Sequence, residues 1–475
     1  MLTTLMMSLV LAPGVDESGL PNVLIVMADD CTAADLPAYG GRNAVTPNID
    51  RLAAEGLLFE RAAVSSAMCQ PCRASLYTGL YPARNGCAWN HSRSRPSVRS
   101  LPHRLGELGY RVGIAGKVHV KPAAAFPFEP VDGFDGNCVR GRTRPCDHGG
   151  IHDFISRDGA PFCLVIALVE PHVPWTMGDP SAYPPAAIEL PPNLADTPQT
   201  RESFARYLAE ITYMDGQVGD VLDTLEKAGR ASDTLVLFTS EQGSQFPGNK
   251  WTNWDTGLHT ALIARWPGVT AAGTRTNALV QYVDVMPTLI EVAGGKFPRD
   301  LDGVSFAGVL RGESGGSRRY QYACHNNVPE GPPYPIRSVS DGQYRLVRNL
   351  LPDATYIEKH VMGRGGATPD ADRYWPSWMW HASEDNRTNE LVIRYTNRPA
   401  ESLYDTAADP YELVDVSGDP AAAGVRETLA AELDRWLIDQ QDPGLPQDTL
   451  EALQAARAGR HRYGRPPAEP PDAAD

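Results

Sequence analysis

Four apolar stretches of this chain each end in side chains able to bind cations, anions or protons. Asn22–Met27 (NVLIVM) leads into Asp29-Asp30, and Arg111–Ala115 (RVGIA) into Lys117-Val118-His119. Phe162–Val169 (FCLVIALV) leads into Glu170-Pro171-His172, and Thr234–Phe238 (TLVLF) into Glu241-Gln242-Gly243. Asp29, Asp30 and Glu241 offer carboxylates and Gln242 an amide oxygen. Such an all-oxygen set suits Ca²⁺, or Mg²⁺, better than zinc. Unpaired carboxylates directly after a buried strand would be costly, so a bare surface role fits Asp29-Asp30 poorly. Cys69 adds a potential nucleophile, competent as a thiol only if its pKa is lowered.

The elements that must position these groups follow from the hydrophobic pattern. A continuous apolar run reads as a strand buried on both faces, and strand, polar tip and helix recur along the chain. Thr46-Pro47 predicts an N-cap and a first-turn proline, with Ile49, Leu52 and Ala53 as a helical stripe stopped by Gly56. Phe204, Tyr207, Leu208, Ile211, Met214, Val218, Val221, Leu222 and Leu225 predict a long amphipathic helix closed by Gly229. The class is therefore α/β, a mostly parallel sheet sandwiched by helices. Ligands in such sheets bind outside the carboxyl ends of the strands, so the four tips are candidates for one shared site.

After Arg311 the pattern shortens. Tyr344–Val347 and Leu391–Tyr395 alternate like strands, and a helix carries Val425, Leu429, Leu433, Trp436 and Leu437. The expected organisation is a start at 1–20, a catalytic domain at 21–318, a C-terminal α+β subdomain at 319–441 and a mobile tail at 442–475. No internal repeat at solenoid or propeller periods is evident.

The 475 residues carry 43 Lys+Arg against 58 Asp+Glu, a net charge of −15, which excludes a nucleic-acid-coating protein. No run of about twenty apolar residues occurs, which excludes a transmembrane helix. Residues 1–12 have the apolar character of a signal-peptide core, yet the first basic residue is Arg42. Periplasmic or secreted and cytoplasmic locations both stay open. Eight cysteines are too few for a disulfide scaffold; Cys138 and Cys146 could close a small loop in an oxidising compartment or remain unpaired.

Residues 69–79 read Cys-Gln-Pro-Cys-Arg-Ala-Ser-Leu-Tyr-Thr-Gly. This resembles the sulfatase signature, Cys-x-Pro-x-Arg with a Thr-Gly ending, in the company of Asp29-Asp30, Thr46-Pro47-Asn48-Ile49-Asp50, Lys117-x-His119 and His172. The resemblance covers about 21–310 and resumes at Leu403-Tyr404-Asp405, Asp409-Pro410 and Glu412. It implies an alkaline-phosphatase-like fold and oxidation of Cys69 to formylglycine by a formylglycine-generating or other sulfatase-maturating enzyme. It further implies a divalent cation held by Asp29, Asp30, the modified Cys69, Glu241 and Gln242. Sulfatases commonly carry Asp followed by Asn or His where this chain has the longer Glu241-Gln242, so the strand tip is expected to sit slightly farther back.

By the same resemblance Arg73 holds the aldehyde hydrate, Lys117 and Lys250 bind sulfate, His119 helps deprotonate the hydrate, and His172 contacts sulfate and assists the leaving group. Ser240–Pro247 and Lys250-Trp251-Thr252 look most similar to the branch containing the N-sulfoglucosamine sulfohydrolases. The implied activity is hydrolysis of sulfate esters or sulfamates of a sulfated oligosaccharide. The same superfamily also holds phosphodiesterases and phosphonate monoester hydrolases, and an inactive glycan-binding homologue is the non-enzyme alternative. Trp89, Asn90, His91, Trp175, Trp251 and Trp254 sit near the tips and suit a sugar, although tryptophans there are equally often core. His91 is the expected substrate contact. The −15 disfavours capture of a long polyanion over the whole surface, which favours a short oligosaccharide entering a small cationic pocket end-on.

Overall fold

A computed structural model describes residues 19–157, 159–313, 318–362 and 371–467, so the apolar stretch 1–12 and the last residues, 468–475, lie outside it. The apolar runs become strands β1 (Asn22–Ala28), β2 (Leu57–Phe59), β3 (Arg111–Gly116), β4 (Glu129–Pro130), β5 (Phe162–Ala167), β6 (Thr234–Ser240), β7 (Leu262–Arg265) and β8 (Thr274–Thr276). They form one sheet in the order β4-β3-β5-β1-β6-β7-β2-β8, parallel except where β7 pairs with β6 and β2.

β1 lies at the centre, in register with β5 through Val23–Cys163 and with β6 through Val23–Leu235. Its alternate residues feed two cores: Leu24 and Val26 pack with Leu164, Ile166, Val236 and Phe238, while Val23, Ile25 and Met27 pack with Val165, Leu235 and Leu237. That double burial is why these runs are apolar throughout and do not alternate.

Helix α1 (Pro47–Glu55) starts where expected but is capped differently. The Thr46 side chain caps no backbone group; its hydroxyl donates to Asp50 at 3.3 Å. The first-turn donors, Asn48 N and Ile49 N, instead reach the Asp215 carboxylate at 3.1 and 2.8 Å. Helix α2 (Cys69–Thr78) is buried throughout and ends on Gly79 at φ +66°. Asp215 belongs to α3 (Pro198–Lys227), the predicted long helix, whose Phe204, Tyr207, Leu208, Ile211 and Met214 enter the core of the first sheet face.

The C-terminal part forms a four-stranded antiparallel sheet, β9 (Gln321–His325), β10 (Ile336–Ser340), β11 (Tyr344–Asn349) and β12 (Glu401–Asp405), in that order. Two expectations fail here. Leu391–Tyr395 is not a strand but part of helix α4 (Asn386–Thr396), capped by the Asp385 carboxylate on Thr388 N at 2.7 Å. Thr388, Leu391, Val392 and Tyr395 are buried, a helical spacing that a five-residue window reads as alternation. Helix α5 (Ala423–Gln440) covers the sheet with Leu429, Leu433 and Trp436, the last stacked on Tyr322 at 4.9 Å.

The second failure is the tail. Helix α6 (Leu450–Arg457) buries Ala452, Leu453 and Ala456 against Ala88, Trp89 and Val328. Just before it, the buried Asp448 carboxylate accepts from Asn327 N, Val328 N and Tyr334 N at 2.6–2.9 Å. Proline- and alanine-rich composition misleads because these alanines pack. Cys138 and Cys146 are both unpaired thiols.

Replacing Asp215 by Ala removes the acceptor for two α1 backbone donors and should lower unfolding free energy by about 2 kcal/mol. Urea unfolding of parent and variant measures the difference, and a change under about 0.5 kcal/mol contradicts this capping role.

Candidate active site

The carboxyl ends of β1, β3, β5 and β6 converge on the N-terminus of α2. β1 runs straight into Asp29 and Asp30, both buried, with Asp30 held at φ +60°. β6 runs into Glu241 and Gln242, also buried, and Glu241 N donates to Ala28 O at 3.0 Å. Cys69 is the first residue of α2, its Sγ 3.8 Å from Asp29 Oδ1, 3.9 Å from Asp30 Oδ1 and 3.3 Å from Gln242 Nε2. Ligand atoms of Asp29, Asp30, Cys69 and Glu241 all lie within 4.8 Å of one another. Both side chains of the longer Glu241-Gln242 pair therefore reach the cluster.

Three cations oppose the three carboxylates. Arg73, fully buried one turn along α2, pairs through Nε with Glu241, and its Nη1 donates to Lys117 O at 2.6 Å. Lys117 Nζ pairs with Asp29, and Lys250 Nζ donates to Asp30 Oδ2 at 2.7 Å. Lys117 and His119 both reach the site because the chain turns there: Gly116 stands at φ +89° and His119 at φ +42°. A Cβ on Gly116 would lie 2.1 Å from Ala167 O, so this strand tip requires glycine. His172 Nε2 lies 3.5 Å from Asp30 Oδ2.

Burial dominates the titration of the two histidines. It pushes His119 well below the ordinary imidazole range, helped by Lys117 and Arg73, and pushes His172 down despite the facing Asp30. Burial thus favours the neutral imidazole at both positions. Burial alone would raise the Asp29 carboxyl, but Lys117 and its other neighbours hold it well below the usual range.

The donor set fits a hard divalent cation. Gln242 Oε1 is buried without a hydrogen-bond partner, while its Nε2 points at Asp30 Oδ1 at 2.6 Å. Exchanging the two ends of that amide would place an oxygen among the carboxylates, leaving three carboxylates and one amide oxygen around a single point.

Above this floor opens a cavity of about 690 Å³ lined by Cys69, Lys117, His119, His172 and Lys250, with His91, Asn90 and Trp251 among the other walls. The structure thus brings Cys69, Lys117, His119, His172 and Lys250 around one space, with Arg73 behind it. Of the tryptophans, Trp251 lines the cavity. Trp89 packs in a satellite core, Trp175 stacks on Phe246 at 4.8 Å, and Trp254 lies under the Arg394 and Arg398 guanidiniums. Gln245, His360 and the 136–141 loop also line it and were missed. His360 abuts a Gly/Pro-rich connection that carries no motif, so nothing in its spacing singled it out.

A family model described as "Sulfatase" matches residues 21–144 and 149–295, more than half the chain. This chain belongs to the sulfatase family. A second model, "N-sulphoglucosamine sulphohydrolase, C-terminal", matches 249–356. An ulvan-active sulfatase of Formosa agariphila is 30% identical, aligned over 89% of this chain and 81% of its own. Human N-sulphoglucosamine sulphohydrolase is 29% identical over 94% and 95% respectively. Among solved structures, one in complex with its substrate D-glucosamine-2-N,6-O-disulfate superposes with a TM-score of 0.66 at 19% identity, covering 88% of this sulfatase and 98% of that chain. The phosphonate monoester hydrolase of Agrobacterium radiobacter gives 0.65 at 20%, covering 87% and 95%. At those identities the likeness establishes the alkaline-phosphatase-like fold.

Chelator-stripped protein should gain a few degrees in melting temperature when Ca²⁺ is added at about a hundred times its Kd. Gln242→Leu should weaken cation affinity measured by calorimetry by at least about tenfold, and unchanged affinity removes Gln242 from the ligand set.

Proposed function

We propose that this sulfatase hydrolyses sulfate esters or sulfamates of a short sulfated carbohydrate, with Cys69 converted to formylglycine and a divalent cation, Ca²⁺ or Mg²⁺, at Asp29, Asp30, Glu241 and Gln242. The observation that carries this is the placement of Cys69 at the head of α2, within 4 Å of two carboxylates, in a cavity lined by two lysines and several histidines. A hydrated aldehyde supplies two hydroxyls, one to attack sulfur and one to expel sulfate, which a thiol cannot do. The relatives' names, an ulvan-active sulfatase and an N-sulphoglucosamine sulphohydrolase, support a sulfated sugar.

The chain's own residues divide the remaining work. Lys117 and Lys250 place two ammonium groups at the floor, where they neutralise the anionic head of the substrate. Arg73, fixed by Glu241 and the Lys117 carbonyl, keeps a permanent charge directly behind the nucleophile. Neutral His119 takes the proton released when sulfate is expelled, and His172 attends the leaving group. Three cations and three carboxylates balance at this site, so a bound divalent cation would supply the surplus positive charge that attracts a small anion.

Protein co-expressed with a maturating enzyme should release sulfate from at least one of a panel of sulfated mono- and disaccharides that includes glucosamine N-sulfate. Peptide mass analysis should show Cys69 as the aldehyde, and Cys69→Ala should abolish turnover, a loss of at least about 10³-fold. A marked preference for an aryl phosphodiester over every sulfate tested would move the protein to the phosphodiesterase side of the superfamily. Persistently unmodified, inactive protein would leave a glycan-binding role.

A further inference from the structure

Glu330 lies in the connection after β9 and belongs to none of the motifs above. Its carboxylate is almost completely buried, yet it meets four groups from two distant segments. Oε2 accepts from His360 Nε2 at 2.6 Å and lies 3.2 Å from Lys359 Nζ. Oε1 accepts from Asn90 Nδ2 at 3.3 Å and lies 3.9 Å from His91 Nε2. Burial alone would raise this carboxyl, but the His360 hydrogen bond and the neighbouring charges hold it at about 2. It is therefore an acceptor only, and it keeps the His360 proton on Nε2.

The two imidazoles beside this carboxylate, His360 hydrogen-bonded to it and His91 3.9 Å away, both line the cavity. The His91 ring lies 5.6 Å from the His119 ring. The His360 ring stacks on Trp251 at 5.5 Å and 13°, and Lys250 Nζ sits 4.6 Å from that same indole. A continuous wall thus runs from the residue expected to move the proton to a lysine expected to hold sulfate.

Resting on the sulfatase reading, we propose that His91 and His360 form the subsite that recognises hydroxyl groups of the sugar ring bearing the scissile sulfate, with Glu330 as the residue that positions both. The charge balance of the wall favours hydroxyls over a second sulfate or carboxylate. Glu330 and Lys359 cancel, and burial holds the His91 imidazole below its ordinary pKa, so His91 offers ring nitrogens without adding positive charge. The floor, by contrast, holds the ammonium groups. A hydrogen-bonding wall of this kind discriminates, because a ligand lacking the matching hydroxyls leaves its polar groups unpaired.

The test compares matured parent, Glu330→Gln and His360→Gln on the sulfated monosaccharide that the parent turns over best and on 4-nitrophenyl sulfate, which has a leaving group without sugar hydroxyls. For each variant kcat/KM on the sugar should fall by at least about tenfold more than on the aryl sulfate, mostly through KM. Equal losses on both substrates, or no loss on the sugar, overturn the wall while leaving the sulfatase reading intact. A matured parent that releases no sulfate from either substrate overturns that reading and this inference together. His360→Gln keeps the proposal testable should removal of the buried Glu330 charge prevent folding.

Discussion

Three carboxylates buried at the carboxyl edge of a parallel sheet constrain everything else in this molecule. Asp29, Asp30 and Glu241 arrive there because β1 and β6 are neighbours in register, so their tips end at the same height. Carboxylates without water are tolerated only when opposite charge is fixed against them. Arg73, Lys117 and Lys250 supply that charge from a helix, a strand tip and a loop. The site is therefore an electrostatic knot in which no member can be removed without stranding another. The proposed cation and the proposed anionic substrate both enter a space already balanced to receive them.

The same knot explains why so much was legible. A buried strand announces itself by unbroken apolar character, and the polar residue that follows it must lie at the sheet's ligand-binding edge. Asp29-Asp30, Lys117, His172 and Glu241-Gln242 could thus be gathered from separate parts of the chain before any geometry was known. The Cys69–Arg73 spacing supplied the helix that faces them. These readings depend on local pattern and on the resemblance that the Cys69–Gly79 motif carries.

Much of what could not be read depends on pairing across long separations. Asp215 caps α1 from 167 residues away, so Thr46, the better local candidate, is not the cap. Glu330 and His360 reach the cavity from connections whose composition says only that the chain turns. Leu391–Tyr395 was too short a window to tell a helix from a strand, and its Asp385 cap carried the missing information. The alanines of α6 are neutral in pattern and acquire meaning only against Trp89 and Val328.

α6 does more than pack. Arg457 Nε donates to the backbone carbonyl of His91 at 3.0 Å, 366 residues away along the chain. One side of the cavity is thus braced by a segment made long after the strands of the main sheet. During synthesis, the sheet and its charged edge can assemble while the chain is still tethered, but the surroundings of His91 stay unfinished until residue 457 has emerged. Completion of the pocket therefore waits on a contact that spans most of the chain, and its floor can form before its wall.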